Sequence, residues 1–222
     1  MDSKAFASYL KNNFAPILTK VGFNKKGNSF ISVEREEILK GFVFDKSGDS
    51  LYVTWFVMPF IPVTYEIYFD VGERLVGKQE TGDLFLLEEQ NIETTTKELQ
   101  KLISEKITLL QSINSCKDYY KFFYEENNWN KLNNLWLKSN LRHLERVLFV
   151  KAYLNLPFEK ELKAFKKEWQ NSDRKHVSWM QEIKREVDKL VEAKSRNKES
   201  IINLLDSMRN ETIENLNLHK YP

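Results

Sequence analysis

The stretch that decides the fold is residues 37–71, which reads EILKGFVFDKSGDSLYVTWFVMPFIPVTYEIYFDV. It holds three runs rich in β-branched and aromatic residues, and such runs are typical of strands. A short polar loop at residues 46–49 separates the first two runs. Pro59 and Pro62 separate the second run from the third, because proline cannot donate a hydrogen bond to a neighbouring strand. Connections this short predict antiparallel neighbours.

A fourth strand is predicted in front of these three, at residues 30–33. In the run that begins at Leu51, apolar side chains point to both faces, with Trp55 on one face and Phe56 on the other. A sheet with one hydrated side would alternate between apolar and polar residues instead. We therefore expect the first helix to cover one face, and the helical part, a partner or a ligand to cover the second.

The residues before the sheet predict an N-terminal helix that Asp2 or Ser3 caps. Its apolar side chains recur at spacings of three and four, and they are Phe6, Leu10, Phe14, Ile17, Leu18 and Val21. Pro16 lies inside this pattern, so we expect a kink or a split helix. Gly22 is placed to end the helix, and residues 24–28 are typical of a turn.

From about residue 92 onward the sequence is typical of helices. Thr95 and Glu98 have the spacing of a capping box and predict a helix start. Trp129 and Trp136 belong to an apolar helical stripe, and Pro157 predicts a break between two later helices. The helices follow one another without a fixed repeat period, which favours an irregular bundle over a helical-repeat array.

A long helix is predicted near the end of the chain, with Ser172 or Asp173 as its cap. Residues 195–200 either form a turn after it or continue it as one helix. The sequence thus predicts an α+β fold with two parts. Residues 1–91 form an N-terminal helix and a four-stranded antiparallel sheet, and residues 92–222 form a helical domain packed on it.

Composition excludes several classes of protein. The apolar share is 41%, which is enough for a core. Cys116 is the one cysteine, so no intrachain disulfide forms, as suits a reducing compartment. The N-terminus does not resemble a signal peptide, and no apolar run approaches the roughly 18 residues that span a membrane. We therefore expect a soluble cytoplasmic protein that does not contact membranes.

The two parts of the chain differ in charge. Residues 1–91 hold 10 Lys and Arg against 13 Asp and Glu, a net charge of −3. Residues 92–222 hold 24 against 19, a net charge of +5. A positive surplus on helices indicates an acidic partner. Hydrated helix faces of mixed sign explain the same numbers, because salt screens weak fields within roughly 10 Å.

The sequence shows no recognisable motif for catalysis or metal binding. His143, His176 and His219 do not share metal-ligand spacing, and none lies near Cys116 in sequence. Cys116 is expected to be a buried core residue. The chain carries no Gly-rich phosphate loop, no Gly-x-Ser-x-Gly and no His-Glu-x-x-His motif. We therefore expect no metal and no cofactor.

The best pocket-like group of side chains lies on the last predicted strand, residues 65–71. Glu66 and Tyr68 share one strand face there, beside a sheet that carries Tyr52 and Trp55. These four residues are a candidate binding site, and a hydrated strand face is the alternative explanation. After them, residues 72–75 are expected to turn the chain out of the sheet.

A second candidate site is the turn that carries Lys25 and Lys26 beside Phe23 and Phe30. Basic and aromatic side chains together bind phosphates and bases in nucleic-acid-binding proteins. Hydrated lysines on a turn are the alternative.

The segment at residues 21–30, VGFNKKGNSF, resembles the opening of a group of functionally uncharacterised bacterial domains. In that group a helix ends in Gly-Phe, and a Lys-Gly turn and an aromatic strand follow. Gly72-Glu73-Arg74-Leu75 is similar to the same group. The resemblance covers roughly the first third of the chain. It implies a bacterial cytoplasmic α+β protein with no known catalytic residues, and some such small proteins are similar to immunity or defence-associated partners.

Three functions remain open from the sequence. The first is a non-enzymatic protein-binding module of the immunity or defence-associated type, with a homodimer through the helical part also open. The second is a nucleic-acid-binding accessory protein that uses the basic helices and the turn at Lys25 and Lys26. The third is an enzyme with a dispersed site around Tyr52, Glu66 and Tyr68.

Overall fold

The chain opens with two helices, α1 (Ser3–Asn13) and α2 (Ala15–Lys20), so the predicted helix is split beside Pro16. The Asp2 carboxylate accepts a hydrogen bond from the Ala5 amide at 2.8 Å and caps α1. Gly22 follows α2 with a φ of 93°, a conformation that favours glycine. The computed structural model that shows these elements describes residues 1–67, 71–77, 82–126 and 140–221.

Within the described residues, six strands form one antiparallel sheet. They are β1 (Asn24–Lys26), β2 (Ser29–Glu34), β3 (Ile38–Ser47), β4 (Ser50–Pro59), β5 (Val71–Arg74) and β6 (Phe85–Leu86). The first five lie side by side in chain order, and β6 pairs with the start of β4. Thr54 of β4 lies opposite Arg74, whereas Leu51 lies opposite Phe85. The α+β class is confirmed, and the sheet has more strands than the four predicted.

The remaining elements are helical, as predicted for the second part of the chain. They are α3 (Ile92–Gln111), α4 (Cys116–Tyr120), α5 (Asn140–Tyr153), α6 (Glu159–Asn171), α7 (Ser178–Arg196) and α8 (Lys198–Asn215). A π-helical turn (Lys121–Glu125) extends α4. Pro157 lies in the break between α5 and α6, as expected. Asn197 separates α7 from α8 and caps α8 by accepting a hydrogen bond from the Ser200 amide at 2.8 Å, so a turn and not one continuous helix is present.

Two predicted helix starts were wrong. Helix α3 begins at Ile92, because the Thr95 hydroxyl donates to the Leu86 carbonyl at 3.1 Å and ties the helix to β6 instead of capping it. Helix α7 begins at Ser178, because the Ser172 hydroxyl accepts from the Arg174 amide at 3.2 Å and forms a turn before the helix. The predicted stripe through Trp129 and Trp136 lies outside the described residues.

Three strand predictions were also wrong. Residues 24–26 form β1 and residues 72–74 belong to β5, although both stretches were expected to be turns. Residues 65–67 form no strand, although they alternate as a strand would. The Thr64 amide donates instead to the Thr212 hydroxyl at 3.1 Å, so this segment is held by α8 and not by a neighbouring strand.

Both faces of the sheet are buried by the chain itself. On one face, Phe42, Phe44 and Trp55 pack in a core with side chains of α1, α3 and α4. On the other face, a second core closes over the sheet. It consists of Ile31, Leu39, Phe56, Met58, Phe60, Ile213, Leu216 and Leu218. The end of α8 and the tail after it therefore cover the second face of the sheet. Of the three covers that the sequence allowed, namely the helical part, a partner or a ligand, the helical part is the one present.

The helices α5 to α8 build a third core among themselves. Its buried residues include Phe149 of α5, Phe165 of α6, Ile183 of α7 and Leu205 of α8. This core contacts the sheet part through Ile61, which follows β4. The division of the chain at residue 91 stays a prediction.

Candidate functional site

A pocket of about 540 Å³ lies where α5 turns into α6 and α7 turns into α8. We call it the α5–α8 pocket. Its apolar lining includes Phe158, Ile201, Ile202 and Leu205. Ile202 is 47% exposed and forms part of the lining. The volume lies within the range of roughly 300–1,000 Å³ that is typical of small-molecule sites.

Charged side chains complete the lining of this pocket. Lys194 pairs with Glu159, and its ammonium lies 4.4 Å from the centre of the Phe158 ring. Asp206 pairs with Arg209 at 3.3 Å. Each acid of the pocket wall is therefore matched by a cation of its own.

Lys198 lines the same pocket in a different way. It is exposed, and it has no ion pair or hydrogen bond within the part of the chain that the structure describes. As the first residue of α8, it lies where the helix dipole adds partial positive charge. The pocket thus combines an apolar body with an unmatched positive charge at one end.

Tyr153 connects the pocket to a polar cluster beneath it. Burial, and then the negative charge of Glu37, raise the pKa of Tyr153 to about 12. The Glu37 carboxylate accepts a hydrogen bond from the Cys116 amide at 2.8 Å and thereby holds the first turn of α4. Burial raises the pKa of the Cys116 thiol as well, so this cysteine stays protonated and matches its predicted role as a core residue.

Helix α6 carries a second surface feature beside the pocket. All four of its lysines are exposed, and they are Lys160, Lys163, Lys166 and Lys167. At 3.6 residues per turn they fall within about 120° of the helix circumference. We call these four residues the α6 ridge. None of them has an ion pair or a hydrogen bond to another described residue, whereas Glu159 and Glu161 of the same helix pair with Lys194 and Lys151.

Two half-buried tryptophans, one on α6 and one on α7, belong to the same group of helices as the ridge. Trp169 is on α6 with the Lys184 ammonium 6.0 Å from its ring centre, and Trp179 is on α7 with the Arg142 guanidinium 5.1 Å away. Both rings pack against the core of α5 to α8 while keeping part of their surface exposed. Aromatic side chains of this kind are frequent anchors in protein interfaces.

The candidate site predicted on the sheet is dispersed in the structure. Trp55 is fully buried in the core with α3, and Tyr52 is on the opposite face, with the Arg74 guanidinium 4.0 Å from its ring centre. Glu66 is exposed in the segment after β4, outside any strand. Tyr68 lies outside the described residues. The structure therefore does not bring Tyr52, Trp55 and Glu66 together around one cavity.

The two lysines of the other predicted site make different contacts. The Lys26 ammonium donates to the Leu216 carbonyl at 2.9 Å, at the end of α8, and lies 5.5 Å from the Tyr221 ring. The Lys25 ammonium donates to the Gly27 carbonyl at 2.7 Å within its own turn. Lys26 thus ties the helical part to the sheet, and Lys25 remains exposed.

A buried lysine that the sequence did not single out performs a similar task at the end of α3. Lys40 is 2% exposed, and its ammonium donates to the carbonyls of Leu110 at 2.8 Å and Ile113 at 2.9 Å. It also donates to the Asn114 side chain at 2.8 Å and pairs with Glu34 at 3.1 Å. Burial lowers the pKa of Lys40 while Glu34 raises it. We call this group the Lys40 junction.

The described residues hold neither a metal-ligand group nor a membrane-spanning helix. Within residues 1–67, 71–77, 82–126 and 140–221, no three His, Cys, Asp or Glu side chains are grouped to hold a metal ion. The same residues include no helix with the length and apolar character needed to cross a bilayer. Burial lowers the pKa of His143 to about 4, so this histidine is neutral at pH 7.

Sequence reasoning missed both the α5–α8 pocket and the α6 ridge. A signal for the ridge was present, because Lys160, Lys163 and Lys167 recur at spacings of three and four. The pocket had no comparable signal, since its lining comes from stretches that are more than 30 residues apart. Comparisons of the chain with protein-family models, with curated proteins and with solved structures found no match.

Proposed function

We propose that this chain is a non-enzymatic protein-binding module whose partner presents an acidic surface. The observation that carries this proposal is the α6 ridge, where four exposed lysines share one side of a helix. The acids that could neutralise them, Glu159 and Glu161, are engaged with Lys194 and Lys151 instead. The third acid of the helix, Glu168, is half-buried.

Like charges on one helix side repel one another and do not stabilise the fold. They do attract an oppositely charged surface, since complementary charge steers encounter and selects partners. Trp169 and Trp179 add aromatic surface of the kind that anchors an interface. An immunity-type or defence-associated role in a bacterial cytoplasm is part of this proposal, and it rests on the resemblance of residues 21–30.

The dispersed arrangement on the sheet supports a binding role over the enzymatic alternative. A catalytic site needs its acid, base and substrate contacts within hydrogen-bond reach of one substrate. Tyr52 is on β4 with the Arg74 guanidinium over its ring, whereas Glu66 is exposed in the segment after β4.

A nucleic-acid-binding accessory role is the second candidate, and the same ridge favours it. Lysines contact phosphates in nucleic-acid-binding proteins, and aromatic rings stack on bases there. Trp169 and Trp179 keep part of their rings exposed. Phosphate contacts release counterions, so binding of this kind weakens steeply with salt.

The test compares two variants of equal net charge. In the ridge variant, Lys160, Lys163, Lys166 and Lys167 are changed to glutamine. In the control variant, four exposed lysines of the helices α1, α2 and α3 are changed to glutamine. They are Lys4, Lys11, Lys20 and Lys101. Both variants and the wild type are used to capture proteins from a nuclease-treated bacterial lysate, and the captured proteins are identified by mass spectrometry.

The expected result is a protein that the wild type and the control variant capture and the ridge variant does not. Equal capture by both variants, or no protein captured above the bare resin, contradicts the proposal. If capture depends on nucleic acid that the nuclease removes, the second candidate is favoured. Direct titration of the protein with RNA and DNA at low salt then tests the nucleic-acid-binding role, and undetectable binding would exclude that role.

A further inference from the structure

The α5–α8 pocket has the properties of a ligand site that the proposed function does not use. Phe158, Ile201 and Leu205 supply an apolar body, and Ile202 exposes nearly half of its surface beside them. A bound apolar group would remove this apolar surface from water and gain free energy by doing so. The pocket is large enough to hold a small molecule, because its volume is about 540 Å³.

The charges of the wall select the polar end of such a ligand. A cationic ligand would need an unpaired acid, but Glu159 is paired with Lys194 and Asp206 with Arg209. Lys198 is the wall residue with a charge left over among the residues that the structure describes. The backbone N–H groups at the start of α8 add partial positive charge at the same end, next to the acidic side chain of Glu199.

We propose that the α5–α8 pocket binds a small amphipathic monocarboxylate. Its apolar body lies against Phe158, Leu205 and Ile202, and its carboxylate pairs with the Lys198 ammonium. The proposal rests on the pocket and not on the α6 ridge, so it stands or falls independently of the protein-binding function.

Ligands of one length and different charge test this assignment. The full chain is labelled for methyl NMR and titrated with octanoate, with 1-octanol and with octylammonium, each below the concentration at which it forms micelles. We expect octanoate to shift the methyl resonances of Ile201, Ile202 and Leu205. Because an exposed ion pair contributes modestly, octanoate should bind about two- to fivefold more tightly than octanol, with octylammonium the weakest.

Two exposed positions allow variants that leave the fold intact. Lys198→Gln should reduce the preference for octanoate over octanol to less than about twofold and leave octanol binding unchanged. Ile202→Ser should weaken both ligands about fivefold, because it removes apolar surface from the rim. Lys4→Gln, which removes an exposed lysine of α1 far from the pocket in sequence, is the control and should change neither affinity.

Three results would overturn the proposal. The first is that octanoate leaves the methyl resonances of the pocket unshifted. The second is that the three ligands bind equally, which would show that charge plays no part. The third is that Lys198→Gln and Lys4→Gln have the same effect on the preference for the acid.

Discussion

The Lys40 junction and the α5–α8 pocket each place a lysine ammonium near the end of a helix, but the surroundings of the two ammonium groups are opposite. Lys40 itself is on β3 and contacts the end of α3, whereas Lys198 is the first residue of α8. Lys40 is 2% exposed at the C-terminal end of α3, where two carbonyls, one amide oxygen and Glu34 surround its ammonium. Lys198 is exposed at the N-terminal end of α8, where the helix dipole opposes its charge. The first position stabilises a cation, and the second leaves one unmatched.

The difference shows how a charged residue can be assigned to structure or to binding. A cation surrounded by oxygen atoms of its own chain has no capacity left for a ligand, and its removal exposes those oxygens to an apolar core. A cation without partners contributes little to folding, and its charge remains available. By this criterion Lys26 and Lys40 are structural. The exposed lysines of α6 and Lys198 are the ones that we propose to bind.

The largest effect is expected at the Lys40 junction. Lys40→Met keeps the length of the side chain but leaves the carbonyls of Leu110 and Ile113 without their donor. Removing one partner from a buried charged group should lower the free energy of unfolding by about 3 to 4 kcal/mol. Urea denaturation followed by circular dichroism measures the loss. A cost below that of an ordinary surface substitution would contradict the structural role of Lys40.

A pH titration of stability tests how the helical part treats a buried base. His143 has a pKa of about 4 in the folded chain, because burial disfavours its charged form, against roughly 6.5 when unfolded. The unfolded state therefore binds the proton first. The contribution of His143 is complete above about pH 6.5 and is lost as the pH falls towards 4, and it amounts to about 3 kcal/mol.

The variant His143→Gln should show a shallower fall in stability between pH 6.5 and pH 4 than the wild type. His176→Gln removes an exposed histidine and serves as the control, since the carboxylates titrate alike in all three proteins. Identical slopes for the wild type and His143→Gln would show that the imidazole is not held neutral by burial.

The two lysines of β1, Lys25 and Lys26, allow a comparison of two smaller stability changes. Lys26→Met removes the hydrogen bond to the Leu216 carbonyl, and we expect the free energy of unfolding to fall by about 1 kcal/mol. Lys25→Met removes an exposed bond within the turn and should change it by less than about 0.5 kcal/mol. Thermal and urea denaturation of the two variants side by side measure both values. Equal costs would mean that Lys26 does not tie α8 to the sheet.

The smallest effect on stability is expected at Lys198. Because its ammonium has no partner among the described residues, Lys198→Gln should change the free energy of unfolding by less than about 0.5 kcal/mol. The same urea denaturation used for Lys40→Met gives the comparison directly. A cost above about 1 kcal/mol would show that Lys198 is part of the fold and would remove the reason to regard it as a binding residue.

Much of the fold could be predicted from local patterns. Residues 38–59 alternate and end at Pro59, so β3, β4 and their hairpin follow from the sequence alone. Pro16 and Pro157 marked real helix breaks. Local patterns failed where a distant element competed for the backbone. Thr64 bonds to Thr212 of α8, which lies 148 residues away, and residues 65–67 therefore do not pair as a strand.

The candidate sites were harder to predict for the same reason. The strand pattern places Lys40 on the face of Phe42 and Phe44, but its role depends on the carbonyls at the end of α3, some 70 residues later. The spacing of the α6 lysines was visible, yet their importance depends on Glu159 and Glu161 being engaged with Lys194 and Lys151. Such pairings follow from packing, which no local pattern records.

The most direct test of the central claim is lysine footprinting of the whole chain with an amine-acetylating reagent, free and after capture from the lysate. In the free chain the ridge lysines and Lys11 should react quickly, and Lys40 should not react. In the captured complex, Lys160, Lys163, Lys166 and Lys167 should become protected while Lys11 reacts as before. Ridge lysines that react equally fast in both states would contradict the claim that this side of the molecule binds the partner.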